Sequence, residues 1–505
     1  MTKSANRRLP SSGPAREILQ KKGQFWTPEW VANAMVAWAA RDSDHIFDPA
    51  IGAGAFFAAA KRLAVQGKKL SFSGGELYRE NLEEAFANGL TNTDLAHVRI
   101  GDFLRSFGAE DQFDSIVANP PYIRHHRFDL EYKAFLQNLA VTTIGTPIDA
   151  RAGIHVFFLI KALTHLQPGG RLAFILPSDI CEGKFSSVLW KWISGRYRIC
   201  AAVTFDHAAS PFPGVDTNAI VLMIQNAKPE KKLKWARVKR AETEDLFRWC
   251  ADDLGKIQSD EVLITEREIN EASTTGLSRP PVAEGVKRDT IPLGHFVTVI
   301  RGIATGDNDF FFLTSKRIED LGLPRAKFVR AIGRTRDIAG AKITQEDLSR
   351  LDIAGRPTYL LNLDREEKQQ LPPAMQDYIT VGETAGLPQR SLIAQRKPWY
   401  RSEKRRPPPW FFAYLGRRNC RFIKNETEAV PLTGFLAVYP RPGLGIDVEV
   451  FTRVLNDHRT LANLPLVAKS YGSGALKVEP RNLERLLVPK GVLRENGIKL
   501  NDLFF

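Results

Sequence analysis

Asp48-Pro49-Ala50-Ile51-Gly52-Ala53-Gly54-Ala55-Phe56 decides how the first half of the chain folds. Residues 45–51 are an apolar run that reads as a strand, and residues 55–66 carry helical periodicity. A strand that passes into a helix through two glycines lets backbone approach a ligand at the helix N-terminus, as in nucleotide-binding sheets. A tight strand–helix turn is the competing reading of the glycines alone. Further strands are expected at residues 70–77, 98–103, 113–119, 171–177, 199–205 and 219–225, with helices at 29–40, 79–88, 154–166 and 185–193. Such alternation predicts an α/β fold with a mostly parallel sheet and helices on both faces. The last two strands follow closely around Pro211-Phe212-Pro213-Gly214, which predicts an antiparallel pair at one end of the sheet.

The strand ends carry the chemistry. Glu76 closes the second strand, where a carboxylate can hold a ribose diol. Gly101-Asp102-Phe103-Leu104 closes the third, where Asp102 can accept from an adenine amino group and Phe103 can stack on the ring. Either acid alone would read as a solvated loop residue; three strand ends in register favour a site. The fourth strand stops at Asn119-Pro120-Pro121-Tyr122, because two prolines cannot continue a ladder and stiffen the backbone with its carbonyls turned outward.

Composition bounds the rest. At 505 residues, 43% hydrophobic and 25% charged, the chain is ordinary globular material of two or three domains. No apolar run is long enough to span a bilayer, and the basic start lacks an apolar leader core, so no membrane partner is expected and a cytoplasmic location is. Four scattered cysteines without CxxC spacing, and nine histidines without an HxxxH or HExxH pair, predict neither a disulfide frame nor a metal site. The net charge of +14 points to a polyanion. Residues 1–226 hold 24 basic and 21 acidic residues, so most of the surplus lies beyond them. Between Gln395 and Lys424, ten basic residues face one acid, Glu403, with seven aromatics interleaved. Within it Arg396, Lys397, Arg405, Arg406 and Trp410 are the candidate nucleic-acid contacts, against the plainer reading of a solvated face over core aromatics. Residues 1–226 are expected as one domain, 227–290 as a connecting segment with a linker at 272–288, and 291–505 as a second, mixed α+β domain.

Taken in order, Asp48–Phe56, Glu76, Asp102 and Asn119–Tyr122 resemble the motifs of the S-adenosylmethionine-dependent DNA adenine-N6 methyltransferases. Upstream, Gly23-Gln24-Phe25-Trp26-Thr27-Pro28 resembles that family's N-terminal cofactor segment, giving the gamma motif order. The resemblance covers about residues 20–226. It implies a Rossmann-like class I methyltransferase sheet, with S-adenosylmethionine held by Gln24, Phe25, Thr27, Pro28, Asp48, Pro49, Ala50, Gly52, Gly54, Phe56, Glu76, Asp102, Phe103 and Asn119. It also implies a C-terminal target-recognition domain. Arg301-Gly302-Ile303-Ala304-Thr305-Gly306 and Tyr471-Gly472-Ser473-Gly474-Ala475-Leu476-Lys477 look like recognition-region segments, and add Arg301 and Lys477 to the DNA contacts.

An exocyclic aromatic amine is a poor nucleophile because its lone pair is delocalised. Acceptors at the Asn119 side chain and the Pro120 carbonyl would localise that pair, with Pro121 stiffening the loop. The base must be flipped out of duplex DNA, at a cost of a few kcal/mol. Stacking on Tyr122, worth ~1–3 kcal/mol, would offset part of that cost. Phe212 matches the family's aromatic on the opposite face, against a buried loop phenylalanine as the plain alternative. Arg124, His125 and His126 are weaker phosphate candidates. The expected activity is sequence-specific adenine methylation as the modification part of a restriction–modification system. Double-stranded DNA is the substrate, a cognate restriction endonuclease acts alongside, and the enzyme works as a monomer. About twenty residues precede the cofactor segment and no PD…(D/E)xK cluster is evident, so no fused nuclease is expected. RNA or protein-glutamine methylation, cytosine-N4 methylation and an inactive DNA-binding protein are the alternatives.

Overall fold

The structure, a computed structural model, describes residues 26–65, 67, 70–123, 125–149, 151–182, 185–213, 215, 218–282, 284–416, 420–470 and 476–498. The chain divides into one unit running through Pro281 and a second starting at Val282. The first unit is built on nine strands: β1 (His45–Asp48), β2 (Ser71–Glu76), β3 (Val98–Ile100), β4 (Phe113–Ala118), β5 (Leu166–Pro177), β6 (Arg198–Phe205), β7 (Ala219–Gln225), β8 (Lys232–Val238) and β9 (Val262–Glu268). They lie in the order β3-β2-β1-β4-β5-β7-β6-β8-β9. Neighbours from β3 to β5 pair parallel, and β7 runs antiparallel to both β5 and β6. Strand order therefore reverses between β1 and β4, which leaves a crevice outside their carboxyl ends.

The helices of this unit are α1 (Glu29–Ala39), α2 (Ala55–Val65), α3 (Leu82–Ala87), α4 (Phe103–Ser106), α5 (Leu130–Ile144), α6 (Ile154–Thr164), α7 (Ser186–Ser194), α8 (Glu244–Ala251) and α9 (Ile269–Thr275). One core gathers Leu136, Phe157 and Trp190 from α5, α6 and α7 against one face of the sheet. The other gathers Val31, Phe56 and Trp249 from α1, α2 and α8 against the opposite face. Central strands are thus covered twice, which is why β7 is a near-continuous apolar run and the last four residues of β4 are all buried. No helix among the described residues is long and apolar enough to cross a membrane.

Within residues 227–290, expected as a connecting segment, residues 232–268 instead extend the sheet. β8 pairs parallel with β6, and β9 pairs antiparallel with β8. The charged run hid a strand whose Leu233, Trp235 and Val238 are buried while Lys232 and Arg237 face out. Likewise α9 occupies the start of the expected linker, with Ile269 and Ala272 buried.

The second unit is mixed α+β, as expected. Its largest sheet runs Val297–Arg301, Phe435–Pro440, Trp410–Ala413, Arg421–Asn425 and Lys342–Ile343. Helices such as Gln345–Ile353, Pro373–Thr384 and Val448–Asn456 surround it in sequence, and Thr290–Pro292 pairs antiparallel with Leu487–Pro489.

Candidate active site

Asp48 ends β1, Glu76 ends β2, and Asn119 directly follows β4. Register places Phe47 opposite Ile116, so Asp48 and Asn119 leave adjacent strands at the topological switch. The turn between β1 and α2 depends on Gly52 and Gly54, whose φ of +52° and +77° L side chains rarely adopt. Asp48 Oδ1 accepts from the Ala50 N–H at 2.9 Å, which fixes the first step of the turn. Asp48 Oδ2 is buried with no hydrogen-bond partner among the described residues. Burial, with the Glu76 charge in support, pushes the Asp48 carboxyl up to about 8.

Glu76 is tied into the same turn. Its Oε2 accepts from the Gly52 N–H at 2.9 Å, and its Oε1 accepts from Asn81 Nδ2 at 2.7 Å and from the Tyr78 N–H at 3.3 Å. Asp102 caps α4 by accepting from the Leu104 N–H at 3.0 Å, and its other oxygen accepts from the Tyr132 hydroxyl at 2.8 Å. Tyr132, on α5, escaped sequence reasoning because no motif and no strong periodicity marks that helix. Burial and the Asp102 charge raise the Tyr132 hydroxyl above its ordinary range.

The Asn119 amide nitrogen donates to Thr27 Oγ1 at 3.1 Å, joining the N-terminal segment to the Asn-Pro-Pro-Tyr loop. Pro28 precedes α1 directly as its N-cap. Tyr122 is half-buried, and its hydroxyl donates to the Ile175 carbonyl of β5 at 3.1 Å. Pro120 is buried and Pro121 half-buried, as are Pro49 and Ala50 respectively on the β1 turn. Gln24, Phe25 and Arg124 lie outside the described residues.

Three aromatic residues expected at the site have buried rings. Phe103 is 2% exposed and packs among Phe47, Phe107 and Phe158, so its ring belongs to the core beneath the strand ends. Phe56 is buried under α2. Phe212, expected to face a flipped base, is 4% exposed in the core on the α1 side of the sheet.

The basic, aromatic stretch of the second unit is also corrected in part. Trp410 is fully buried and its indole N–H donates to Thr452 Oγ1 at 2.7 Å, so it is a core residue and not a DNA contact. Phe411, Phe412 and Phe422 are buried beside it because both faces of that sheet are covered. Lys397 and Arg406 are exposed. Arg396 lies over the Phe311 ring and donates to the Ala304 carbonyl at 2.7 Å, while Arg405 is half-buried and pairs with Glu403. Arg301 and Lys477 meet at one carboxylate, Glu479, at 3.2 and 2.9 Å. Arg417, Arg418 and residues 471–475 lie outside the described residues.

Residues 14–231 match the family described as N-6 DNA Methylase, and residues 283–503 match the Type II methyltransferase M.Eco57I, C-terminal domain. The chain is 23% identical to the Type II methyltransferase M.AccI of Acinetobacter calcoaceticus, with 95% of this chain and 87% of that protein covered. It is 24% identical to the Type II methyltransferase M.XamI of Xanthomonas campestris pv. amaranthicola, covering 93% and 85% respectively. The solved Type IIL restriction-modification enzyme MmeI in complex with DNA has the same fold, with a TM-score of 0.50 at 14% identity over 86% of this chain and 62% of that one. The fold and its strand-end site define a class I methyltransferase. Residues 14–231 and 283–503 thus match domain models of N6-adenine DNA methylases and of a type II methyltransferase C-terminal domain, and both relatives that span nearly the whole chain are type II methyltransferases. The match to the N-6 DNA methylase family implies use of S-adenosylmethionine.

Proposed function

We propose that this enzyme transfers a methyl group from S-adenosylmethionine to N6 of an adenine flipped out of duplex DNA, with Asn119-Pro120-Pro121-Tyr122 at the reacting centre. The observation that carries the reading is the convergence of Asp48, Glu76 and Asn119 on adjacent strand ends, with Glu76 tied to the β1 turn at Gly52 and Asn119 tied to Thr27.

The residues fit the cofactor. Asp48 Oδ2 is a buried carboxyl oxygen with no partner among the described residues, which a cationic donor on the cofactor would draw into its charged form, and the Gly52–Gly54 turn opens backbone at the N-terminus of α2. Thr27, Pro28, Asp48, Pro49, Ala50, Gly52 and Gly54 would hold the methionine end. Glu76 suits the ribose hydroxyls and Asp102 the adenine amino group, each exchanging a present partner for a cofactor donor. S-adenosylmethionine, when bound, supplies a methyl group already activated on a sulfonium.

The chain therefore has to position and polarise, not to form a covalent bond. The Asn119 side-chain oxygen and the Pro120 carbonyl would accept from the target amino group and localise its lone pair. Tyr122, anchored through its hydroxyl, would present a ring for the extruded base. In the second unit Arg301, Lys477, Lys397 and Arg406 supply charge for phosphate, with Arg396 and Arg405 behind them. A cognate endonuclease and a monomeric enzyme complete the proposal.

Asn119→Ala tests the catalytic assignment. Methyl transfer from labelled cofactor to phage DNA is expected to fall by about 10²–10³-fold, as when a directed transition-state interaction is removed. Affinity for DNA should stay within about threefold, since phosphate contacts dominate it. Full turnover by the variant would refute the mechanism.

A further inference from the structure

His155 interrupts the apolar helix α6 as the second residue after its Gly153 cap. It is 5% exposed, and neither ring nitrogen has a hydrogen-bond partner among the described residues. Burial holds the imidazole below its ordinary range, with the Asp179 charge opposing. The ring stands edge-to-face to Tyr122, with centroids 5.9 Å apart at 74°. Its Nε2 lies 3.7 Å from Oδ1 of Asp179, a half-exposed side chain four residues beyond Ile175 on the turn that leaves β5.

Three connections make this a built arrangement. The Ile154 N–H donates to the Ile123 carbonyl at 3.1 Å, tying the start of α6 to the residue after Tyr122. The same β5 strand supplies the Ile175 carbonyl that receives the Tyr122 hydroxyl, then leads to Asp179. A Cβ on Gly153 would lie 2.6 Å from His155 Cε1, so the ring packs directly against the glycine that caps α6. A buried polar ring without partners costs stability that an apolar side chain would not. Stability therefore does not explain why a histidine stands here.

We propose that His155 and Asp179 act together as positioning residues for Tyr122, closing their 3.7 Å gap to a hydrogen bond as the target base stacks and so fixing the ring against it. The inference rests on the proposed role of Tyr122 as the stacking surface. Closure gives the imidazole the partner it lacks only when a base is in place, so the interaction favours the loaded loop over the empty one.

The test measures single-turnover methyl transfer to phage λ DNA, with S-adenosylmethionine labelled on its methyl group. The proteins are the wild type, His155→Phe, Asp179→Ala, the double variant and Tyr122→Leu. His155→Phe and Asp179→Ala are each expected to slow transfer about tenfold, with the double variant no slower than either, as coupled residues behave. KM for the cofactor should not change, and the melting temperature of His155→Phe should equal or exceed that of the wild type. A wild-type rate in His155→Phe, or losses that multiply in the double variant, would overturn the proposal. If His155→Phe does not fold, the exposed Asp179→Ala decides, and a wild-type rate there overturns it equally. A wild-type rate in Tyr122→Leu would instead reject the stacking role on which the inference rests.

Discussion

The Asn119 side-chain nitrogen donates to Thr27 Oγ1 at 3.1 Å across 92 residues of chain. This bond turns the amide so that its oxygen lies on the opposite side, where an acceptor is needed if the target is an amino group. Thr27 is 8% exposed, so the bond is shielded from competing water. The bond thus ties the N-terminal segment to the proposed catalytic loop.

Removing the Thr27 hydroxyl should therefore reach the chemical step. Thr27→Val is expected to lower kcat by about tenfold, the factor that 1.4 kcal/mol of misorientation would produce. Thr27→Ser should retain most activity because it keeps the oxygen. Steady-state kinetics on both variants check the pair, and an unimpaired Thr27→Val would show that the hydroxyl does not matter.

Asp48 predicts a pH dependence of the cofactor-free enzyme. In the folded chain its carboxyl stays protonated to about 8, whereas an ordinary aspartate releases its proton near 3.8. The unfolded chain thus binds fewer protons in this window, and stability falls as pH rises from about 4 to about 8. The slope is at most about 1.4 kcal/mol per pH unit. Asp48→Asn should flatten that decline in urea denaturation series at pH 5, 6.5 and 8, while weakening cofactor binding. A wild-type decline in the variant would mean that another group is responsible.

The second unit separates charge from core. Trp410→Ala should cost about 3–5 kcal/mol of stability by emptying a buried site. Neutralising Lys397 and Arg406 with glutamine should leave stability nearly unchanged. It should reduce the slope of log affinity for DNA against log salt by about one for each phosphate no longer neutralised. Fluorescence-anisotropy titrations at several salt concentrations read the slope directly. An unchanged slope would make this face ordinary solvated surface.

How much was legible in the sequence depended on where the signal lay. The carboxyl ends of the parallel strands β1–β5 were expected within a few residues, because an acid, a glycine or a proline stands at or just beyond each of them, whereas β5 begins five residues earlier than expected. The same marks located Asp48, Glu76, Asp102 and Asn119. The burial of Phe56, Phe103 and Phe212 was not legible, because adjacency to a motif does not specify which face a ring takes, and all three turn into the core. β8 was lost because Lys232, Lys234 and Arg237 dominate its composition, although alternate residues are buried. α5 was lost because only Leu136 and Ala140 of its fifteen residues are buried. Trp410-Phe411-Phe412 looked like interleaved aromatics on a basic face; a strand covered on both sides buries all three. His155 could have been noticed as the polar break in an otherwise apolar helix, but only the structure brings Tyr122 and Asp179 to it.

The central claim is that the Asn119-Pro120-Pro121-Tyr122 loop methylates the exocyclic nitrogen of adenine in duplex DNA. Its most direct test is to incubate the purified protein with unmethylated plasmid and methyl-labelled S-adenosylmethionine, then digest the DNA to nucleosides and separate them by mass spectrometry. The account predicts label in N6-methyldeoxyadenosine, and its loss in Asn119→Ala. Label in N4-methyldeoxycytidine, or in added RNA or protein with none in DNA, would contradict it.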